Sequence, residues 1–267
     1  MSIYRDAGGA TRPVPNVLVC SGLDPSGGAG FIADTRVVEQ LGGRPIGVVT
    51  ALTVQDTRGM RGCHEVDSDV FGAQLSTLLT DIEVQAVKLG ILGSQSVISE
   101  LAEHLDLTRA PVVWDPVMAP TQGDVQFGPE LFARALEELG RHLTLITPNS
   151  EELGRLTGTR ITDLAHAVTQ AKALSAVGKV AVLVKGGHLP GDESVDVLCQ
   201  GVETEYLKGR RVATEDVHGT GCALSTAIAV HLAHGLPLAG ACREAKRFVA
   251  ERIAHAVRPG RGAPAVV

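Results

Sequence analysis

The stretch that decides the fold is residues 17–30, which reads VLVCSGLDPSGGAG. Its first four residues form a short apolar run of the kind that makes a buried strand. A glycine-rich loop follows, and a helical pattern runs from residue 30 to residue 41. A strand, a tight loop and a helix in this order form the first half of a βαβ unit. The stretch therefore predicts an α/β fold with parallel strands.

The same alternation continues to the end of the chain. Further strands are predicted at residues 46–52, 86–89, 112–114, 143–146 and 180–184. Further helices are predicted at residues 69–80, 94–104, 129–139, 149–156, 162–177, 219–234 and 238–256, with an edge hairpin or meander between 194 and 212. The strands are continuously apolar, so helices should cover both faces of a mostly parallel central sheet. We expect three layers in a single domain at residues 16–267, after a flexible tail at residues 1–15.

Composition and charge argue against several classes of function. The chain has 267 residues, 44% of them hydrophobic, with a net charge of -6 and a pI near 5.8. No cluster of Lys and Arg could neutralise nucleic-acid phosphates, and no apolar stretch reaches the about 20 residues of a membrane span. The N-terminus contains no secretory signal, and the five cysteines form no CxxC pair. We expect a cytoplasmic protein without nucleic-acid partners, membrane contact, disulfides or zinc.

The glycine-rich loop at residues 21–30 allows three interpretations. A P-loop requires a lysine where this loop has Gly28, so that interpretation fails. A dinucleotide-binding fingerprint can be aligned on Gly28, Gly30 and Ala33, but no ribose-binding acid follows at the usual spacing. A tight turn whose glycines only permit packing remains open.

A second motif, HGTGC at residues 218–222, begins a helical pattern. Small residues at a helix N-terminus leave backbone N–H groups free to bind an anion, such as a phosphoryl group in transfer. Cys222 would lie in the first turn, where the helix field is expected to lower the pKa of its thiol and make it a proton acceptor. The alternative is a glycine-rich helix start with a packed cysteine.

Three further polar groups follow predicted strands. In TPNSEE at residues 147–152, Asn149 and Glu152 have the spacing of a capping box, which explains both residues without any function. The alternative is an oxygen-rich site for hydrated Mg²⁺ near ATP phosphates. Lys185 in VKGGH at residues 184–188 could reach nucleotide phosphates, and Asp115 adds an acidic group at the same edge of the sheet.

Together these motifs resemble, in order, the hydroxymethylpyrimidine/phosphomethylpyrimidine kinases of thiamine biosynthesis, within the ribokinase-like superfamily. The resemblance runs from about residue 16 to about residue 256. Its other motifs are TALTVQ at residues 50–55, KLGIL at 88–92 and DPVM at 115–118.

The resemblance implies a ribokinase-like fold, Mg-ATP as phosphoryl donor, a pyrimidine substrate and a homodimer. Substrate would be bound by Gly22, Asp34, Gln55 and Ile91. Gly219, Thr220, Gly221 and Cys222 would form the catalytic anion hole, with Cys222 as the base. ATP would be bound by Thr147, Asn149, Lys185 and His218, and magnesium by Asp115 and Glu152.

Two positions depart from the family pattern. Ile91 stands where the family usually has methionine, and Thr121-Gln122-Gly123 stands where Lys-Ser-Gly is common. The missing lysine would remove a phosphate contact that concerns the second phosphorylation more than the first. Two alternatives remain open, a pyridoxal kinase and a non-catalytic pyrimidine-binding regulatory protein.

Overall fold

The computed structural model describes residues 3–5, 11–118, 128–187, 193–211 and 216–266. Its strands are β1 (Ile3–Arg5), β2 (Thr11–Pro13), β3 (Asn16–Leu23), β4 (Arg44–Asp56), β5 (Gly59–Glu65), β6 (Ala86–Leu89), β7 (Val112–Trp114), β8 (Leu143–Ile146), β9 (Ala181–Val184), β10 (Glu193–Gln200) and β11 (Glu203–Arg210). Its α-helices are α1 (Gly30–Gln40), α2 (Ser68–Asp81), α3 (Gln95–His104), α4 (Pro129–Leu139), α5 (Ser150–Thr157), α6 (Leu164–Gly178), α7 (Thr220–Ala233) and α8 (Leu238–Ala254).

Nine strands form one sheet in the order β11-β10-β9-β8-β7-β6-β3-β4-β5. The six strands from β9 to β4 run parallel, while β5 at one edge and β10 next to β9 run in the opposite direction. The edge strand β11 pairs antiparallel with β10 and so runs in the same direction as the six. The chain passes from β3 to β4 in one direction and then returns to β6 on the other side of β3. This change of direction is the place where parallel α/β sheets bind ligands, beyond the carboxyl ends of their strands.

Helices cover both faces of the sheet, as the continuously apolar strands predict. On one face, α1, α7 and α8 pack on alternate strand residues such as Val17, Val19 and Leu183. On the other face, α2, α3 and α4 pack on residues such as Leu18, and α5 and α6 on residues such as Val182. The mostly parallel three-layer architecture is therefore confirmed.

Two elements differ from the expectation. The segment expected to be a flexible tail contains the antiparallel pair β1 and β2, in which Ile3 lies opposite Pro13 and Arg5 opposite Thr11. The antiparallel strand β5 was not predicted at all. It pairs with β4 from Gly59 opposite Asp56 to Glu65 opposite Ala51, so β4 extends into a hairpin.

The last described residues tie this hairpin to the start of α7. The Ala263 N–H donates to the carbonyl of Thr57 in the β4–β5 turn at 2.9 Å. The His218 N–H donates to the Pro264 carbonyl at 2.8 Å, and the Val266 N–H donates to the His218 carbonyl at 3.3 Å. Ala265 and Val266 are buried. The C-terminal segment, residues 257–266, thus contacts two loops that border the same cleft.

None of the helices in the part of the chain that the structure describes has the length and hydropathy that a membrane span requires.

Candidate active site

A cleft of about 1060 Å³ lies at the carboxyl ends of the parallel strands. Twelve of the fourteen residues that the sequence assigns to the site line this one cleft, the exceptions being Asp34 and Thr147. One end is formed by Gly22, Gln55 and Ile91, and the turn before α7 lies along the wall. The other end reaches β11 and α8. A volume of about 1060 Å³ is at the upper end of the range for small-molecule sites, so the cleft has room for more than one small ligand.

The turn before α7 has the backbone geometry that the expected anion hole requires. Gly219 has a φ of +84°, and a Cβ there would lie 2.0 Å from the carbonyl oxygen of Gly28, so only glycine fits. No side chain caps the helix, which leaves the N–H groups of its first turn without an intrahelical partner. A Cβ on Gly221 would lie 3.2 Å from Lys185 Nζ and 3.4 Å from Asp115 Oδ2. The backbone at the helix start is thus open to a ligand and adjacent to both charged groups.

Cys222 lies in the first turn of α7, half-buried in the cleft. Burial raises the pKa of its thiol to about 11, and the nearby carboxylates of Asp34 and Asp115 act in the same direction. Lys88 and the N–H of Gly30 favour the thiolate but do not outweigh burial. The expectation of a lowered pKa is therefore wrong, because the helix field competes here with desolvation. The free protein holds a neutral thiol at this position.

Asp34 lies beneath the floor of the cleft and has no exposed surface. Lys88 Nζ approaches its Oδ2 to 2.5 Å, the Ser21 hydroxyl donates to the same oxygen at 2.7 Å, and the Thr226 hydroxyl donates to Oδ1 at 2.7 Å. The expectation that Asp34 hydrogen-bonds the substrate is corrected, because both of its oxygens are already engaged below the surface. Its partner Lys88 does reach the cleft. Burial disfavours the charged amine of Lys88, but attraction to Asp34, Cys222 and Asp115 and the hydrogen bond to Asp34 together outweigh it and raise the pKa of Lys88, so the pair is ionic.

Lys185 forms a second ionic cluster at the cleft wall. Its Nζ lies 2.7 Å from Asp115 Oδ1 and 3.4 Å from Glu152 Oε2. Burial opposes the charge of Lys185, but the two carboxylates outweigh it and raise the pKa of the amine above its usual value. Desolvation raises the pKa of the Glu152 carboxyl even though Lys185 acts against it. The amine is therefore a fixed cation facing the helix start.

Thr147 contributes to this cluster from below. Its side chain is fully buried, and its hydroxyl lies 3.2 Å from Asp115 Oδ1. The expected contact with ATP is corrected, since Thr147 does not reach the cleft and orients Asp115 instead.

The capping box at the start of α5 is confirmed. Asn149 Oδ1 accepts the Glu152 N–H at 2.8 Å, and Glu152 Oε2 accepts the Asn149 N–H at 2.7 Å. Both residues also line the cleft, so the structural explanation and the functional one apply to the same side chains.

The donor set fits magnesium only if a ligand completes it. No three His, Cys, Asp or Glu side chains gather into a metal cluster within the described ranges. Asp115 Oδ2 is nevertheless buried, faces the helix start and has no hydrogen-bond partner among the described residues. Mg²⁺ is commonly held by one or two carboxylates together with substrate phosphates. Asp115 and Glu152 meet that requirement.

At the opposite end of the cleft, Gln55, His218 and Asp24 form one hydrogen-bonded group. His218 Nε2 lies 3.1 Å from the Gln55 amide and 3.0 Å from Asp24 Oδ2. The sequence motifs assign His218 to the ATP side, whereas its polar contacts join it to the predicted substrate residue Gln55. A Cβ on Gly22 would lie 3.6 Å from Ile91 Cβ, so Ile91 covers the backbone beside this group.

Sequence reasoning missed several residues of the cleft. Asp24 stands inside the quoted glycine-rich loop, and an acid between two glycines was the available signal. Near α8, the cleft is lined by Tyr206, Arg243, Lys246 and Arg247, which belong to no motif because a strand and a helix face supply them. Residues 121–123 and His188 lie outside the described residues.

Comparison with known proteins gives one consistent result. The family model described as phosphomethylpyrimidine kinase matches residues 24–267. A hydroxymethylpyrimidine/phosphomethylpyrimidine kinase of Rhizobium meliloti is 39% identical over 90% of this chain and 91% of its own length. The fold resembles an ADP complex of Bacillus subtilis pyridoxal kinase, with a TM-score of 0.87, 28% identity and coverage of 95% of this chain and 97% of that one. It also resembles a phosphomethylpyrimidine kinase of Clostridium difficile, with a TM-score of 0.78, 30% identity and coverage of 90% and 100%.

Proposed function

Because the chain belongs to the phosphomethylpyrimidine kinase family, we propose that it transfers the γ-phosphoryl group of ATP to the hydroxymethyl oxygen of 4-amino-5-hydroxymethyl-2-methylpyrimidine. A second transfer converts the monophosphate to the diphosphate. Both reactions serve thiamine biosynthesis.

One observation carries the proposal. The turn at residues 219–222 lies in the same cleft as Gln55 on one side and Lys185 on the other. An acceptor alcohol bound against Gln55 and Ile91, and a triphosphate reaching from α8 towards Lys185, would meet at this turn. Holding two reactants in one geometry is a large part of catalysis in phosphoryl transfer.

The residues of the cleft have separate roles in the transfer. The substrate oxygen attacks the γ-phosphorus, the bond to the bridging oxygen of ADP breaks, and the hydroxyl proton passes to the thiolate of Cys222, the minor form that arises when the neutral thiol first releases its proton to solvent. Free N–H groups of the α7 turn and the ammonium of Lys185 stabilise the equatorial oxygens of the moving group. The transition state is loose, so positioned charge contributes more than base strength.

Magnesium bound with ATP would be held by Asp115 and Glu152. It would neutralise charge on the phosphate oxygens and so assist departure of ADP. The orphaned Oδ2 of Asp115 supports this assignment. The proposal includes a cytoplasmic location, which is in keeping with five free cysteines. It also includes a homodimer.

A pyridoxal kinase is the second candidate, because the fold is similar to the Bacillus subtilis pyridoxal kinase. A coupled ADP-release assay with hydroxymethylpyrimidine, its monophosphate and pyridoxal separates the two. We expect the highest kcat/KM with the pyrimidines. A higher kcat/KM with pyridoxal would replace the proposal by the second candidate.

The control for this assay is Lys185→Met, purified in parallel to exclude a contaminating kinase. Binding of the pyrimidine without ADP release in any reaction would instead identify a non-catalytic regulatory protein.

A further inference from the structure

In the group formed by Asp24, Gln55 and His218, one ring nitrogen faces both a hydrogen-bond acceptor and a hydrogen-bond donor. Nε2 of His218 lies 3.0 Å from Asp24 Oδ2 and 3.1 Å from the amide nitrogen of Gln55. One ring nitrogen either donates a hydrogen bond or accepts one. It cannot donate to the carboxylate and also accept from the amide N–H. One of the two neighbours must therefore turn.

The carboxylate decides the state of Nε2. Asp24 Oδ1 accepts the Ser26 N–H at 2.8 Å, and its Oδ2 accepts the Ala29 N–H at 3.0 Å. Burial disfavours ionisation, yet the pKa of Asp24 is held below its usual value, and the two backbone N–H donors supply a reason for this that does not depend on the state of His218. An ionised carboxylate only accepts hydrogen bonds. Nε2 of His218 must therefore carry a hydrogen and donate it to Asp24.

The far side of Gln55 leads to the same conclusion. The Thr53 hydroxyl donates to the Leu23 carbonyl at 2.7 Å, so its oxygen is left as an acceptor towards Gln55 at 3.3 Å. An amide nitrogen there would donate to it. Turning the Gln55 amide by half a turn exchanges its oxygen and nitrogen. The nitrogen can then donate to Thr53, and the oxygen shares the single Nε2–H of His218 with Asp24 as a bifurcated hydrogen bond. The final torsion of glutamine has two such orientations of similar energy.

The imidazole ring itself cannot easily turn to relieve the conflict. Its own backbone N–H is held by the Pro264 carbonyl at 2.8 Å. A Cβ on Gly28 would lie only 2.6 Å from His218 Cδ2, so the ring packs directly on the glycine loop. The side chain is 14% exposed. The ring is thus the rigid member of the group and the amide is the adaptable one.

We propose that His218, held by Asp24, is a positioning residue that fixes the Gln55 amide with its oxygen towards His218 and its nitrogen towards Thr53, and thereby sets substrate specificity. Each amide atom has two hydrogen-bonding directions, and the protein uses one of each. One acceptor direction and one donor direction remain for a ligand. The free direction of the amide oxygen accepts from a ligand amino group, and the free direction of the amide nitrogen donates to an unprotonated ring nitrogen beside it. A ligand edge with an oxo group beside a ring N–H has the reverse order of donor and acceptor and is rejected. The specificity part rests on the proposed function.

The first test uses the ligand-free protein and needs no activity. Nitrogen-15 NMR of histidine-labelled protein reads whether Nε2 of His218 carries hydrogen, and the variant His218→Phe identifies its signals. We expect Nε2 to be protonated, in either the neutral or the cationic ring. A neutral ring with hydrogen only on Nδ1 would overturn the proposal.

The second test measures the ratio of kcat/KM for 4-amino-5-hydroxymethyl-2-methylpyrimidine to that for its 4-oxo analogue. In His218→Phe we expect this ratio to fall by about five- to tenfold, the worth of one neutral hydrogen bond that fixes an orientation. The matched control is His255→Phe, an exposed histidine on the far end of α8, and it should keep the wild-type ratio. A merely structural histidine would lower both rates equally and leave the ratio unchanged, which contradicts the proposal.

The two tests separate the inference from the function on which it rests. If neither pyrimidine is phosphorylated by the wild type, the proposed function fails, and the NMR result still decides the orientation of Gln55. In that case the same pair of compounds is compared by calorimetric Kd. If the protein is active and the 4-oxo analogue is preferred, the function stands and the inference fails.

Discussion

At the scale of single residues, the pKa of Cys222 gives the most direct test of the chemistry. Because burial raises this pKa to about 11, the thiolate fraction of the free enzyme grows about tenfold for each pH unit between 7 and 9. We expect kcat/KM of the wild type to rise with pH over this range. Cys222→Asp should give a flat profile there, since a carboxylate is already ionised. Cys222→Ala should lower kcat by about 10²-fold or more, the usual worth of a positioned base.

Two outcomes of these measurements would contradict the role of Cys222 as the proton acceptor. Wild-type turnover in Cys222→Ala would remove the thiol from the mechanism. A flat wild-type profile with an inactive alanine variant would assign the sulfur to packing against the moving phosphate.

The buried pair of Asp34 and Lys88 predicts a stability effect. Lys88→Met leaves a buried carboxylate without its cation, and we expect a loss of about 3–5 kcal/mol in the free energy of unfolding, measured by urea denaturation. The double variant Lys88→Met/Asp34→Asn removes the unpaired charge and should recover part of this loss. A single variant as stable as the double one would contradict an ionic pair.

The residues that sequence reasoning misassigned share a physical cause. Asp34 belongs to a recognisable motif, but its burial depends on Lys88, which comes 54 positions later in the chain. The pKa of Cys222 was predicted from the helix field alone, because the sequence shows that a helix begins there. Desolvation of the thiol depends on atoms from distant parts of the chain, which the sequence does not show. By contrast, Lys185 and Asp115 were predicted to lie at one edge because strand ends in a parallel sheet meet there, whereas Gln55 was assigned to the site only by the family resemblance.

At the scale of elements, the C-terminal segment offers a test of how the substrate end is held. A Cβ on Gly262 would lie 1.8 Å from the carbonyl oxygen of Thr57, so Gly262→Ala must push the segment off the β4–β5 turn. The same turn follows Gln55 in β4. We therefore expect the KM for the pyrimidine to rise several-fold while the KM for ATP changes little, together with a stability loss of about 1–3 kcal/mol from the clash.

The matched control for this change is Arg261→Ala, an exposed neighbour in the same segment, which should behave as wild type. Hydrogen exchange in β5 provides an independent measurement, and faster exchange is expected in Gly262→Ala. Equal effects on both KM values would mean that the segment supports the whole cleft rather than the substrate end.

The elements also show what a sequence pattern can predict. The central strands were found because each contains a short apolar run, although β6 also carries Lys88. Helix α4 was predicted with its observed limits because a proline and a hydrophobic stripe define it. The strand β5 was missed because its residues GMRGCHE contain glycines and charges without alternation. Its position is set by pairing with β4 and by contact of the turn with the C-terminal segment, and neither is a local signal.

For the whole molecule, two thiols distant from the chemistry predict how stability depends on pH. Burial raises the pKa of Cys20 and of Cys242 from 9.0 to about 12 each, and both side chains are fully buried. The folded state therefore keeps these protons where the unfolded chain releases them. Their contribution to stability is fully present below pH 9 and is lost as the pH rises from 9 towards 12.

The sign of this effect makes it measurable within a narrow window. Between pH 9 and pH 10 the free energy of unfolding should fall by about 1 kcal/mol for each buried thiol, read from urea midpoints at constant ionic strength. Cys222, whose pKa is raised to about 11, adds a decline of similar size, so Cys20→Ala and Cys242→Ala should each remove about 1 kcal/mol of the total decline, although each lowers stability at pH 8 by creating a cavity. Carboxylates do not titrate in this window, so they cannot imitate the result. A decline that persists unchanged in the double variant would instead assign the alkaline loss to the other thiols with raised pKa values, Cys63, Cys199 and Cys222.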